Sequence, residues 1–170
     1  MDTIAQLPLK SRFKLWSILI IAGVILLLTW ILAMILHKLY INHKMPPFAM
    51  FVFLTFFFIA WNMLVFGELR INTIKVKIKD DEIVASNYLG LGLKKTYSFS
   101  GFEGFIKVIK PSKYSSYEYL YLLKNGKRVI CLSQFYHSNY SDLKKCIEDK
   151  VPDLGYKGFH FGREMKQLFS

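Results

Sequence analysis

Two long runs of residues without a charged side chain constrain this chain more than any other feature. They are Leu15–Leu36 and Met45–Gly67, and each exceeds the roughly 20 apolar residues with which a helix crosses the bilayer core. A soluble domain of ordinary composition contains no such runs. The sequence therefore predicts transmembrane helices at 15–36 and 45–67. It excludes a purely soluble protein, and also a large enzyme, because only one small domain of chain follows Gly67.

The segment between the two runs, 37–44, is too short to form a domain, so we expect an external loop that joins the helices into an antiparallel hairpin. Basic residues are slightly more frequent on the other sides of the runs. The N-terminal segment 1–14 carries Lys10, Arg12 and Lys14, residues Arg70, Lys75, Lys77 and Lys79 follow the second run, and the loop carries Lys38 and Lys44. The positive-inside rule then predicts a multi-pass protein of the cytoplasmic membrane with both termini in the cytoplasm.

The apolar pattern changes to that of β-strands after Glu68. Ile74, Val76 and Ile78 alternate with polar residues, which is typical of a strand with one buried face. Later, Asn125-Gly126 indicates a β-hairpin, because both central positions of a type I′ turn need a positive φ. We expect about six or seven consecutive antiparallel strands in this region.

A single amphipathic helix is predicted after these strands. Ser138 or Asn139 is its candidate N-cap and Pro152 closes it, and the predicted buried positions are Tyr140, Leu143, Ile147 and Val151. The fold class is thus a membrane α-helical hairpin followed by an α+β domain, a strand meander or open barrel with one C-terminal helix. The remaining tail, 152–170, contains Tyr156, Phe159 and Phe161, which favour a short added strand; a short helix at Glu164–Phe169 is also open.

Two stretches give this arrangement a resemblance to a known family. DDEIVASNYLGLGLKKTYSFSGFEGF contains an acidic turn, a short strand, a Gly-containing turn, a basic pair and a polar strand, and YLYLLKNGKRVICLSQFYHSNYSDLKKCI contains a hairpin and a closing helix. With the two preceding spans, the chain resembles bacterial membrane proteins that carry a pleckstrin-homology-like (PH-like, YcxB-like) domain. The resemblance implies a PH-like domain at 70–151 facing the cytoplasm, and it implies no catalytic residues.

Basic side chains form the first set of candidate site residues. We expect them to face the membrane or another anion; they are Arg70, Lys75, Lys77, Lys79, Lys94 and Lys95. The alternative is an ordinary solvated strand face that discourages edge pairing. Phosphoinositide-binding PH domains use basic residues near their first strand turn, but here this turn contains Asp80, Asp81 and Glu82, which would repel a phosphorylated headgroup.

Three tyrosines of one predicted strand face, Tyr117, Tyr119 and Tyr121, form the second set. Either they pack as ordinary strand aromatics, or they form an exposed stripe that docks a protein partner or the bilayer interface.

The sequence contains no motif for catalysis, metal binding or a phosphate loop, and we expect no cofactor. The net charge of +11 does not indicate nucleic-acid binding, because the basic residues are divided between membrane flanks and strands. The expected function is therefore non-enzymatic: a domain held at the membrane surface for contact with lipid or a protein partner. One alternative is an immunity-type or regulatory subunit of a membrane partner. Another is a small membrane enzyme, for which only His37, His43 and Glu68 are candidates.

Overall fold

The structure is a computed structural model that describes residues 7–42, 48–112 and 115–158, except for the side chains of residues 39, 42, 49 and 50. Two long apolar helices occupy much of its N-terminal half. Helix α1 spans Leu15–Asn42, helix α2 spans Phe48–Asn62, and a π-helix, Met63–Asn72, continues α2. Leu15–Lys38 and Phe51–Asn72 are long and apolar enough to cross a membrane, and little of either is buried. Since a core helix of a soluble protein would be mostly buried, the two helices are compatible with a two-span membrane protein.

Helix α1 is longer than the predicted first span. It continues through His37–Asn42, in the segment that the sequence predicts as a loop. The sequence has no glycine or proline between Gly23 and Pro46 to stop the helix. Residues 43–47, which include the predicted start of the second span, lie outside the described part of the chain.

In the described part of the chain, eight strands form two four-stranded sheets. The first sheet has the order β1-β2-β3-β4, all antiparallel, and consists of Leu9–Lys10, Lys75–Ile78, Glu82–Ser86 and Lys94–Ser98. The second sheet has the order β7-β6-β5-β8. Its strands are β5 (Gly104–Pro111), β6 (Ser116–Lys124), β7 (Lys127–Ser133) and β8 (Asp153–Tyr156). Strand β8 is parallel to β5, and the other pairs of this sheet are antiparallel. Helix α3, Tyr140–Glu148, lies between β7 and β8 in the chain.

The structure confirms a coarse α+β arrangement of two apolar helices, sheets and a late helix. The chain divides its strands between two sheets, and the described residues form no closed barrel. Strands β1 and β8 lie outside the predicted domain 70–151. Neither shows period-two alternation: β1 has only two residues, and β8 contains Gly155 with a φ of 83°. Of the predicted tail strand, Tyr156 lies in β8, whereas Phe159 and Phe161 lie outside the described residues.

Both sheets and α3 contribute to one hydrophobic core. The predicted buried faces are confirmed: the members of the first strand face and the helix face are all buried, namely Ile74, Val76, Ile78, Tyr140, Leu143, Ile147 and Val151. The Asn125-Gly126 turn has the predicted positive φ angles, 52° and 70°. Helix α3 lies against the face of the second sheet that carries Lys107 and Glu118, because Lys107 pairs with Glu148 and Glu118 pairs with Lys144.

The segment before α1 is held on the β-domain by a dense set of hydrogen bonds. Ser11 exchanges two 2.8 Å bonds with Val76, one from its backbone N–H and one to its Oγ. Asn139 accepts a 2.9 Å bond from the Arg12 N–H and donates a 2.9 Å bond to the Lys10 carbonyl. Asn139 precedes α3, as the sequence predicts for a cap, but its side chain makes no capping bond. It fixes the N-terminal strand instead.

Replacing Asn139 with alanine is therefore expected to loosen the N-terminal strand without unfolding the domain. The change removes two hydrogen bonds of about 1 kcal/mol each, so the Ser11 amide should exchange its hydrogen roughly 10-fold faster or more. Hydrogen exchange of the full chain in detergent micelles measures this. Ser138→Ala is the matched control. It removes only the 3.1 Å bond from the Ser138 hydroxyl to the Arg12 carbonyl, and the Ser138 backbone N–H keeps its 2.8 Å bond to the same carbonyl, so Ser11 protection should change much less. Unchanged Ser11 protection in Asn139→Ala would contradict the assignment.

Candidate anion-binding site

A cavity of about 510 Å³ opens between the π-helix and the two sheets. The π-helix contributes Arg70, β4 contributes Lys95 and Tyr97, and β6 contributes Tyr121. The Asn125-Gly126 turn carries the chain into β7, whose first two residues, Lys127 and Arg128, also line the cavity. Segments that are far apart in sequence thus bring four cationic side chains to one concave surface.

The charge of this lining is entirely positive. No acidic side chain lines the cavity, and within the described part of the chain Arg70, Lys95 and Lys127 make no ion pair. The Arg128 guanidinium lies 4.3 Å from the centre of the Tyr121 ring, a cation–π contact that orients it. Cations that share one concave surface attract an anion more strongly than isolated surface charges do.

Tyr97 and the Asn125-Gly126 turn complete the surroundings of these cations. Burial raises the pKa of Tyr97, so its hydroxyl stays protonated at neutral pH and remains a hydrogen-bond donor. The Gly126 N–H donates to both carboxylate oxygens of Glu103, at 3.0 and 3.2 Å, which holds the turn at the rim. Lysine, arginine and tyrosine donors around one concavity suit a phosphate or carboxylate group.

The structure brings only some of the predicted basic residues to this cavity. Arg70 and Lys95 line it, whereas Lys75, Lys77, Lys79 and Lys94 do not. Two residues separate the π-helix from strand β2, which leads away from it. Lys79 follows the end of β2 and is therefore more remote than Lys75 and Lys77, and it pairs with Glu82. The anion-facing role of all six residues stays a prediction.

The three predicted tyrosines lie in a packed environment. Tyr119 and Tyr121 are 7% and 1% exposed, and their rings stack with centres 6.4 Å apart. Tyr117 is half-buried and packs edge-on against Phe135 at 5.1 Å. They therefore form no exposed aromatic stripe, and of the three only Tyr121 lines the cavity.

Sequence reasoning missed Tyr97, Lys127 and Arg128 as members of this site. A signal was present, since Lys127 and Arg128 directly follow the predicted Asn125-Gly126 turn. This signal was not sufficient, because basic pairs beside turns are common on protein surfaces and do not by themselves indicate a site. Only the position of the π-helix opposite the pair shows that they line a cavity.

A second polar cluster lies where the π-helix meets the β-domain. Glu68 accepts hydrogen bonds from the Tyr136 hydroxyl and from Asn72 Nδ2, the latter at 2.9 Å. Burial, followed by the nearby Glu68 carboxylate, raises the pKa of Tyr136. Of the three residues considered for a small enzyme, Glu68 is engaged in this cluster, His37 is exposed and His43 lies outside the described residues. The described residues contain no group of three or more His, Cys, Asp or Glu side chains that could hold a metal.

No protein-family model matches the chain, and neither the curated proteins nor the solved structures compared with it include a significant match. The PH-like resemblance therefore has no support from a family match. The geometry supports a coarser description: two long apolar helices and a sheet-rich C-terminal region, compatible with a two-span membrane protein that carries a β-domain.

Proposed function

We propose that this chain is a non-enzymatic integral membrane protein that holds a PH-like domain at the cytoplasmic membrane surface, where the basic cavity binds an anionic lipid headgroup. The hydrogen bonds between residues 10–12 and the β-domain support one part of this proposal. If α1 and α2 both cross the membrane, the N-terminal segment and the domain must lie on the same side. Their basic flanks then favour the cytoplasmic side.

The position of the cavity is the observation that carries the lipid part of the proposal. Arg70 belongs to the last turns of the apolar segment Phe51–Asn72 and is itself exposed. The cavity that it lines therefore opens next to the level at which this segment leaves the bilayer. A cation near an anionic membrane surface contributes about 1 kcal/mol of attraction, and this lining has four. An acidic protein partner would also pair with these cations, but its binding would not require the cavity to lie beside the membrane surface.

The experiment is a titration of the full chain in neutral detergent micelles with short-chain phosphatidylglycerol, followed by the shift in thermal unfolding temperature. Neutralising three cavity residues together, as Arg70→Gln, Lys95→Gln and Lys127→Gln, should remove about 3 kcal/mol of attraction and weaken the apparent affinity roughly 100-fold. Phosphatidylcholine and inorganic phosphate are titrated in parallel, which separates recognition of the anionic headgroup from recognition of any lipid or of free phosphate.

The matched control removes the same total charge outside both the cavity and the predicted anion-facing set, as Lys145→Gln, Lys150→Gln and Lys157→Gln. It should retain most of the phosphatidylglycerol affinity. Equal losses in the two triple variants would contradict a defined site and leave only an effect of net charge. If the unaltered chain shows no saturable shift with phosphatidylglycerol, the lipid form of the proposal is wrong, and an acidic protein partner becomes the better explanation of the cavity.

A further inference from the structure

The most exposed large apolar side chains of the described β-domain share one loop. Leu91 and Leu93 are 90% and 87% exposed, whereas Ile109 and Leu154 are 50% and 48% exposed. The two leucines lie in the connection between β3 and β4, which we name the 87–93 loop. A single exposed leucine on a protein surface needs no explanation. Two of them in one seven-residue loop, both almost fully exposed, indicate a surface that is covered from outside the domain.

The conformation of this loop is defined by hydrogen bonds and contacts. The Asn87 carbonyl accepts bonds from the Gly90 and Gly92 N–H groups at 3.0 and 2.9 Å, and the Ser86 hydroxyl donates to the Gly92 carbonyl at 2.6 Å. Gly90 has a φ of 97° and lies so close to β2 that an added Cβ would come within 2.5 Å of the Lys75 stem. The two leucines are thus presented on an ordered loop.

A hydrogen bond places the 87–93 loop at the level where the second apolar segment ends. The Leu89 N–H donates to the Thr73 carbonyl at 2.9 Å, and Thr73 is the first residue after the segment Phe51–Asn72. Strand β4 then leads away from this level, from Lys94 to Ser98, and ends near the β2–β3 turn, where the Phe99 N–H meets the Asp81 carbonyl at 3.2 Å. The leucines are therefore at the end of the domain next to the apolar helices.

The charges around the loop match an anionic membrane surface. Lys94 and Lys95 follow it directly, and Lys75 lies against it; all three are exposed. Apolar residues that enter the acyl boundary while nearby lysines remain at the headgroups are the usual arrangement of an interfacial anchor.

We infer that the 87–93 loop inserts Leu91 and Leu93 into the cytoplasmic interface of the bilayer, as a membrane contact separate from the two spans. This inference rests on the proposed membrane location of the chain. It gives the domain a fixed orientation, in which the neighbouring basic cavity opens toward the headgroups.

The test uses the full chain in vesicles of equal parts phosphatidylcholine and phosphatidylglycerol, with the environment-sensitive fluorophore NBD on one introduced cysteine. Leu91→Cys is compared with Leu27→Cys in α1 and with the exposed Ser100→Cys at the far end of the domain. The native Cys131 and Cys146 are buried, and the unaltered chain, labelled in parallel, gives their background. Lipids with a nitroxide on the acyl chain quench a fluorophore that enters the bilayer.

Quenching at position 91 should be within about twofold of quenching at position 27, because interfacial elements enter the acyl boundary, and quenching at position 100 should be near background. Quenching at position 91 that equals the value at position 100, while position 27 is quenched, would overturn the loop insertion and leave the membrane location intact. Absence of quenching at position 27 would overturn the membrane location itself.

Discussion

Replacing His137 with alanine is expected to lower the free energy of unfolding by about 3–5 kcal/mol, in the range of other large buried rings. His137 is 1% exposed and joins three parts of the domain. Its Nε2 lies 3.0 Å from the Ile74 carbonyl, its Nδ1 lies 3.2 Å from the Ser133 backbone nitrogen, and its ring packs on Phe13 at 5.0 Å. The truncation leaves a cavity and deprives two buried backbone groups of partners.

The protonation state of His137 adds a pH dependence to this result. Burial lowers the pKa of His137 and outweighs the two backbone carbonyls that would favour a second proton. The folded state therefore keeps the ring neutral, and because the Ile74 carbonyl can only accept, Nε2 carries the single proton. The unfolded state takes up a proton below about pH 6.5, so stability should fall by up to about 1.4 kcal/mol per pH unit from that point downward.

Chemical unfolding of the full chain in detergent micelles, repeated between about pH 8 and pH 5, measures both effects. His137→Gln retains an amide donor for the Ile74 carbonyl but does not titrate, so its stability should change less over this range than that of the unaltered chain. The other histidines are identical in both proteins and cancel in the difference. Parallel pH profiles for the two proteins would show that His137 is not a neutral buried ring.

The local part of the fold was predictable from the sequence because each element carries its own signal. The apolar runs indicated both helices, the alternation at Ile74–Ile78 indicated β2, and Asn125-Gly126 indicated the β6–β7 hairpin. These signals depend on neighbours within a few residues. Strand β1 has no such signal: its two residues form a strand only because β2 and Asn139 lie beside them, although both are far away in sequence.

The candidate site was predictable only in part for a related reason. The basic residues that the sequence indicated follow one another along the chain, but the cavity selects residues by their position in space. Arg70 and Lys95 belong to it, whereas Lys77 and Lys79 do not, and Lys127 joins them from another sheet. The π-helix determines where Arg70 points, and no local pattern in Met63–Asn72 distinguishes it from a continued α-helix. The exposure of Leu91 and Leu93 likewise depends on how the loop lies over Thr73.

The second large effect is expected at Glu118, the centre of a partly buried polar network. Its carboxylate accepts bonds from Lys144 Nζ and the Tyr140 hydroxyl, both at 2.7 Å, and from the Tyr156 hydroxyl at 3.2 Å. These contacts join both α3 and β8 to β6. Burial alone would raise the pKa of Glu118, but the hydrogen bonds from Lys144 and Tyr140 outweigh it and hold the pKa below its ordinary value.

Replacing Glu118 with alanine should therefore lower the free energy of unfolding by about 2–4 kcal/mol, because it leaves the Lys144 ammonium, with a side chain 25% exposed, without its main partner. Adding Lys144→Met should recover part of this loss, since no unpaired cation then remains. Glu148→Ala is the matched control. Glu148 is more exposed and lies 3.9 Å from Lys144 and 3.5 Å from Lys107, and Lys107 keeps its 2.6 Å pair with Asp153, so the loss should stay at about 1 kcal/mol or below.

The pH dependence of Glu118→Gln then separates the charge of this group from its packing. With a folded-state pKa below the unfolded value, the stabilisation by Glu118 is complete above about pH 4.3 and disappears as the pH falls through the folded-state pKa. Glu118→Gln should thus be less stable than the unaltered chain at neutral pH, and the two should converge in acid. A constant difference at all pH values would contradict the ionic role and assign Glu118 to packing alone. Unfolding of the full chain in detergent micelles, the measurement used for His137, decides between these results.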